Sequence, residues 1–280
     1  MNAPRKSGVA GRAALARALL FVPGNRPERF AKAAATNADL VIVDLEDAVP
    51  DVDKVLARQA VSGWVAAEGS GAVRLNGVKS PYYQGDVSAL AGLSGLMAVV
   101  VPMAEDPEAL AALHGRLGPE VEIVALIETA LVVVRAVKLA ATRGVSRLAF
   151  GHLDFAAEID SSVEDDAMLM PRSCLVVASR AAKLPGPIDG VTTTLDDPSL
   201  AGSDAARARG LGFAGKFCIH PRQVDAVNAA FTPSAGDVAW ARRIVEASAP
   251  GGAVRVGGHM ADAPLILKAR AILTRAQEGV

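Results

Sequence analysis

The sequence predicts a (β/α)8 barrel, the TIM-barrel form of the α/β class, with a C-terminal helical extension or lid. Three observations predict it. Eight short apolar runs alternate with helical patterns over about 230 residues, the alternation that builds successive βαβ units. The runs are mostly continuous rather than alternating in polarity, as strands of a parallel sheet buried on both faces should be. The turn after the first run lacks a G-x-G-x-x-G fingerprint. An open doubly wound sheet, the alternative fold, more naturally carries one.

The runs are ALLFV (18–22), LVIVD (40–44), AVRLN (72–76), MAVVV (97–101), VEIVALI (121–127), RLAF (147–150), PIDGV (187–191) and GKFCI (215–219). PERFAKAAAT begins a helix at Pro27, a residue suited to a first helical position. DPEALAALHGRL begins another, with Asp106 as N-cap and Pro107 behind it. After about residue 232 the pattern changes. TPSAGD opens a helix over 237–248 with Trp240 on its apolar face, SAPGGA is a linker, and a short strand, a Gly-Gly turn and a last helix follow. The expected domains are an unstructured basic leader (1–16), a catalytic barrel (17–232) and an extension (233–280) that packs on or over a neighbouring subunit.

Bulk composition narrows the partners. With 51% hydrophobic and 21% charged residues in 280, a sizeable core can be buried. A net charge of -1 provides no long-range field for a polyanion, so no nucleic-acid partner is expected. No apolar stretch reaches the ~20 residues of a membrane span. Cys174 and Cys218 form no C-x-x-C pair, which argues against a disulfide framework or zinc site and for a reducing, cytoplasmic setting.

Chemistry in such a barrel gathers at the C-terminal ends of the strands. Those ends carry Asp44, Glu46 and Asp47 after the second run, Arg74 and Asn76 in the third, Glu128 and Thr129 after the fifth, and His152 and Asp154 after the sixth. Carboxylates converging on a dry pocket repel one another unless a cation joins them. Oxygen-only ligands favour Mg2+ or Mn2+ over zinc, and Glu128 and Asp154 form the natural pair. The competing reading makes them dipole-favoured acids at helix N-termini. Arg74 suits bidentate grip of a carboxylate, or a salt bridge to Asp44 or Glu46. The first turn, with Arg26, Arg29 and Lys32 beside a helix start, suits an anion. His152 is a candidate substrate contact; His114 reads as a surface-helix residue, His220 as a cap of the last strand turn and His259 as a neighbour of the Gly-Gly turn.

LLFVPGNRPERFAKA, DLEDAV, R-x-N, IET, GxxDF, GKFCIHPRQV and MADAPLI occur in this order. Together they resemble the CitE-like branch of the HpcH/HpaI aldolase/citrate lyase superfamily, over about residues 17–276. The resemblance implies Mg2+-dependent, reversible carbon–carbon cleavage of a 3-hydroxyacyl-CoA thioester, such as malyl-CoA or citramalyl-CoA, to acetyl-CoA and a 2-oxo acid. It implies a homo-oligomer, trimer or hexamer. By match, Glu128 and Asp154 bind Mg2+; Arg74 grips the oxo acid; Asp44 and Glu46 stand beside Arg74 and the metal waters. Lys216, His220, Pro221 and the first-turn basic residues hold CoA, and Asp262 is offered to an adjacent subunit as acid/base.

Three departures bear on specificity: Met103 stands where the family often has lysine, His152 where small or acidic residues are common, and Thr192–Thr194 close the seventh run. Other readings remain. A class II 2-oxo-acid aldolase usually carries a histidine at the place of Asp47. A citrate lyase beta subunit would act on an acyl-carrier-protein thioester. A CoA-binding protein without catalysis would not need the acids retained here.

Overall fold

The computed structural model describes residues 12–67, 70–248, 254–256 and 259–278. Eight strands form a closed barrel in sequence order: β1 (Ala18–Pro23), β2 (Leu40–Asp44), β3 (Gly71–Arg74), β4 (Leu96–Val101), β5 (Glu122–Ile127), β6 (Val145–Phe150), β7 (Ile188–Asp189) and β8 (Gly215–Cys218). Each pairs in parallel with the next, and β1 with β8 closes the cylinder at Leu20↔Cys218. The continuous apolar runs are the physical reason: wall residues are covered by helices outside and by one another inside.

Four strands, β3, β5, β7 and β8, are shorter than the expected runs, β5 and β8 by a single terminal residue. β3 ends at Arg74 because the Asp86 carboxylate takes the Asn76 backbone N–H at 3.1 Å and its amide at 2.6 Å. β7 keeps only Ile188 and Asp189, pairing through Ala149↔Ile188 and Ile188↔Gly215. Helix starts follow the caps. Asp106 accepts the Glu108 N–H at 2.9 Å ahead of the helix Pro107–Leu117. At Pro27 a short 3-10 turn, Pro27–Arg29, precedes the helix Phe30–Ala34. His114, expected on a surface, is buried, its Nδ1 3.2 Å from the Val121 carbonyl.

The barrel interior is apolar: Leu19, Ile42, Ala72, Val100, Val124, Ala149, Ile188 and Phe217 meet there. Its N-terminal end is plugged. Arg147, fully buried, donates to the carbonyls of Gly186 (2.8 Å), Ala13 (3.1 Å) and Ala16 (2.5 Å). Glu122 accepts the N–H groups of Ala13 and Ala14, both at 3.1 Å. The expected unstructured leader is therefore corrected at its inner end. Arg12–Leu15 is a helical turn, with Ala13 and Ala16 buried under the barrel; residues 1–11 lie outside the described residues. Among the described residues no helix is long and apolar enough to cross a membrane.

The chain divides into two compact units, Met1–Asn228 and Ala229–Val280. In the second, the helix Ala235–Ala247 opens with a reciprocal capping box between Ser234 and Asp237. The strands β9 (Val254–Val256) and β10 (His259–Ala261) pair antiparallel, where one strand was expected, and the helix Ala263–Glu278 follows. Ala241, Ile244, Ala269 and Ile272 form its core, with Trp240 packed against them.

Candidate active site

Side chains alternate along a strand, so the residue two beyond each inward core position lies on the mouth side of the barrel axis. Counting on from Leu19, Ile42, Ala72, Leu126, Ala149, Ile188 and Phe217 gives Phe21, Asp44, Arg74, Glu128, Gly151, Gly190 and Ile219. All seven line one cavity of about 390 Å3, with Asp154, His152 and Val191. A second cavity of about 190 Å3 shares Asp47, Glu128 and Asp154 and adds Glu46 and Glu158.

Arg74 organises one side of the mouth. Its Nε and Nη2 hold Asp44 in a fork at 2.7 and 2.6 Å, and its Nη1 lies 3.0 Å from both Glu46 and Asp47. Asp44, 1% exposed, also accepts the N–H groups of Glu46 (2.8 Å) and Ala48 (3.0 Å). With four donors its charge is satisfied, so Asp44 fixes the guanidinium and the acid turn. The acids raise the Arg74 pKa, against burial. Glu46 moves the other way. Burial, and then the charges of Asp47 and Asp44, push it up to about 7 even with Arg74 opposing.

Glu128 ends β5 almost fully buried, and its Oε2 accepts the Met103 N–H at 2.7 Å. Burial, with Asp154 adding to it, lifts its pKa to about 8. Gly151 makes room for it, since a Cβ there would lie 2.6 Å from Glu128 Oε1. Asp154 stands in the first turn of the helix His152–Glu158, exposed at the same cavities. A buried carboxylate facing a second carboxylate, with only oxygen donors, fits a hard divalent cation that relieves their repulsion. His152 is 8% exposed and its Nδ1 has no partner. Burial holds it neutral, with a pKa near 4. Gly190 is required beside it, because a Cβ at that position would strike the imidazole.

Arg74, Asp44, Glu46, Glu128, Asp154 and His152 are thus brought together; the expected CoA-holding residues are not. Lys216 is the clearest correction. It is 1% exposed, its Nζ lies 2.6 Å from the Gly190 carbonyl and 3.4 Å from Asp189, and it lies behind the barrel wall, because its strand neighbour Phe217 takes the inward position. Arg26, Arg29 and Lys32 are exposed, with Arg26 on Glu28 at 2.8 Å. His220 accepts the Arg222 N–H at 3.2 Å and Pro221 opens the helix Pro221–Phe231. None of these lines the 390 Å3 cavity. Asp262, in the second unit, is exposed and caps the helix Ala263–Glu278 through the Leu265 N–H at 3.2 Å.

Two supporting residues, Lys54 and Gln223, escaped the sequence reading, and a third, Met103, was singled out only as a departure from the family pattern. Lys54, 7% exposed, places its ammonium on the carbonyls of Leu45 (2.9 Å) and Glu46 (2.8 Å), clamping the acid turn. Gln223, 1% exposed, accepts the N–H groups of Ile219 (2.9 Å) and His220 (3.3 Å) and donates to the Thr192 carbonyl (2.8 Å). It therefore joins the loops after β7 and β8. Met103 adopts φ 47°, the left-handed region, which aims its N–H at Glu128. Gln223 lies within the GKFCIHPRQV pattern, while nothing in the sequence marks Lys54.

A closed parallel barrel with paired carboxylates and a fixed guanidinium at its C-terminal mouth is the arrangement of a TIM-barrel enzyme, with a site suited to an anion. The family model described as HpcH/HpaI aldolase/citrate lyase matches residues 17–221. The chain belongs to that family, in its CitE-like branch, and is an enzyme of the lyase class. A citrate lyase subunit beta-like protein of Deinococcus radiodurans is 33% identical, with 98% of this chain and 99% of the relative aligned. A (3S)-malyl-CoA thioesterase of Cereibacter sphaeroides is 31% identical over 93% and 94%. Among solved structures, CitE from Mycobacterium tuberculosis in complex with magnesium, acetoacetate and coenzyme A superposes with a TM-score of 0.83 at 34% identity, covering 95% of this chain and 99% of that one.

Proposed function

We propose that this protein is a Mg2+-dependent lyase that cleaves, or forms, a 3-hydroxyacyl-CoA thioester such as malyl-CoA or citramalyl-CoA. The observation that carries the reading is the convergence of Glu128, Asp154 and Arg74 on one 390 Å3 cavity. The magnesium in the CitE complex supports it. In this reading Glu128 and Asp154 hold Mg2+, which supplies Lewis-acid stabilisation of oxygen charge when bound.

The chain's own residues do the rest. A base removes the proton of the C3 hydroxyl, the C2–C3 bond breaks, and C3 becomes the carbonyl of the 2-oxo acid. The electron pair passes to the thioester enolate, which takes a proton at C2 to give acetyl-CoA; no redox partner is needed. Arg74 stabilises the developing oxygen charge from a position fixed by Asp44. Glu46, with a pKa near 7, is suited to move a proton at neutral pH. Asp262 serves as the further acid/base, carried by an extension that packs over a neighbouring subunit of a trimer or hexamer.

The test is a panel of 3-hydroxyacyl-CoA thioesters incubated with Mg2+ while 2-oxo acid release is measured, alongside the same acyl groups on a carrier protein. Release from CoA thioesters is expected; release only from the carrier-bound forms would move the protein to a citrate lyase beta subunit role. The thioesterase relatives favour a second reading, in which water adds to the thioester carbonyl and the C–S bond breaks to give an acid and free CoA. Thiol release without 2-oxo acid identifies that outcome.

A further inference from the structure

We infer that the outer face formed by the helices Ala130–Ala140 and Asp165–Ala181 is an interface with a second copy of this chain, the two related by a two-fold axis that sets each helix antiparallel to its own copy. The two helices lie side by side on the barrel wall. Their inner faces pack on the barrel through Val133 and Ala136 in one and Leu175 and Ala178 in the other. Helices so placed should turn charge outward. These two turn apolar side chains outward as well. Leu131, Val134 and Val137 recur at helical spacing on the first, and Met170 and Val177 on the second, with the half-buried Cys174 between them. Val134 is 83% exposed and Val177 65%. Such a stripe on each of two neighbouring helices makes one apolar strip, which singly scattered surface residues do not.

The charges at the two ends of the strip point to what covers it. Both helices run from the mouth to the plugged end, because each follows one parallel strand and leads into the next. Glu164 and Asp166 are exposed at the mouth end, and Arg180 and Lys183 at the plugged end. None of these four forms an ion pair among the described residues, whereas Asp165 beside them meets Arg207. Asp166 and Arg180 stand about two helical turns on either side of Ser173, and Met170 and Val177 about one turn on either side. The strip is thus matched in shape about Ser173 and opposite in charge. Such a surface complements itself when inverted. A two-fold axis perpendicular to the helices sets Met170 against Val177 of the second copy and Asp166 against its Arg180. A two-fold axis along the helices would set acid on acid. An isologous contact uses one patch on both subunits; here the apolar strip supplies the core and the terminal charges fix the register. A two-fold contact makes the subunit number even, which selects the hexamer over the trimer. It does not depend on the reaction catalysed.

The test measures the mass of the full-length protein by sedimentation equilibrium over a range of concentrations. The parent should contain an even number of subunits. Val134→Glu sets a charge in the strip and should halve that number while far-ultraviolet circular dichroism stays unchanged. Asp166→Arg and Arg180→Glu should each raise the dissociation constant of the contact by about 10-fold or more. The double variant Asp166→Arg/Arg180→Glu exchanges the two charges and should return it to within about three-fold of the parent. A parent of one or three subunits overturns the inference and leaves the strip to a different protein. An even-numbered parent that Val134→Glu does not halve has its two-fold contact elsewhere, which overturns it as well. Loss in both single variants without recovery in the double overturns the antiparallel register.

Discussion

Arg147, fully buried, and Arg74, 11% exposed, are guanidiniums on strands of the same barrel, at its opposite ends. Arg147 is held by the carbonyls of Ala13, Ala16 and Gly186, and its surroundings form a packed plug. Arg74 is held by three carboxylates, and its surroundings enclose 390 Å3 of open space. Burial pulls the pKa of Arg147 down, while the acids push that of Arg74 up. The plugged end uses its charge to fasten backbone. The mouth keeps more acid than Arg74 neutralises, since Glu128 and Asp154 lie beyond its ion pairs. That excess is an unfavourable arrangement for stability alone and a suitable one for a metal and an anion. Excess acid around open space at the mouth, and a guanidinium fastened to backbone at the plug, is what separates chemistry from support in this fold.

The largest test of the contrast is Glu128→Gln. Removing one of the two proposed ligand carboxylates should cost roughly 10³-fold or more in kcat/KM, the several kcal/mol expected of lost metal-ion stabilisation. Calorimetric Mg2+ affinity should fall in parallel. In the presence of a chelator the variant should melt no lower than the parent at pH 8, because a buried charge has been removed. Unchanged Mg2+ affinity would sink the ligand assignment.

Arg147→Met probes the other end and should give the reverse. Three buried carbonyls lose their donor, so unfolding in urea should show about 3 kcal/mol less stability. Mg2+ affinity and the kcat of the folded protein should stay within about two-fold. A loss of activity at unchanged stability would show that the two ends are not separable.

The pH dependence of the metal-free protein sharpens the same point. Glu128 and Glu46 have folded pKa values raised to about 8 and about 7. The folded protein therefore holds these protons more tightly than the unfolded chain. Their contribution to stability is full below the unfolded carboxylate range near 4.5 and is lost as pH rises through 7 and 8. With chelator present, stability should fall by several kcal/mol between pH 5 and pH 8, roughly 6 if the two groups titrate independently. Mg2+ should restore it most at the alkaline end and release protons on binding, which calorimetry in buffers of different ionisation enthalpy would measure.

How much of this was readable beforehand follows from where each signal resides. LVIVD is β2 to the residue, because a short, β-branched apolar run buried on both faces suits the interior of a parallel sheet. Arg74, Glu128 and Asp154 were readable for the same reason: a charged residue closing an apolar run lies at the mouth of a barrel. β7 was overextended because Gly190 and Val191 continue the apolar run in sequence but pair with neither neighbouring strand and line the cavity instead. Lys216 misled because a lysine on a strand can face the mouth or the helices. Only the register with Phe217 and the buried partner Asp189 decide. Lys54 and Gln223 act on main-chain atoms distant in sequence, and composition carries no trace of such contacts.

The smallest expected effect concerns the two sides of the mouth itself. Gln223 ties the loops after β7 and β8, which carry Thr193 and Ile219 to the cavity wall; Glu128 follows β5 directly, and Asp154 and Arg74 stand on the helix His152–Glu158 and β3. Gln223→Met keeps the volume and removes the amide that serves the Thr192 carbonyl and the Ile219 and His220 N–H groups. The loops should loosen without disturbing the acids. KM for the thioester should rise by up to about 10-fold, roughly 1 kcal/mol, while Mg2+ affinity stays unchanged. Gln223→Glu is the matched control. It retains an acceptor for the Ile219 N–H but sets a carboxylate oxygen against the Thr192 carbonyl, so KM should rise at least as far, and further as the group ionises with increasing pH. If either variant lowers kcat and Mg2+ affinity together, the apolar and acidic sides of the mouth form a single mechanical unit, and Gln223 supports the metal ligands as well as the wall.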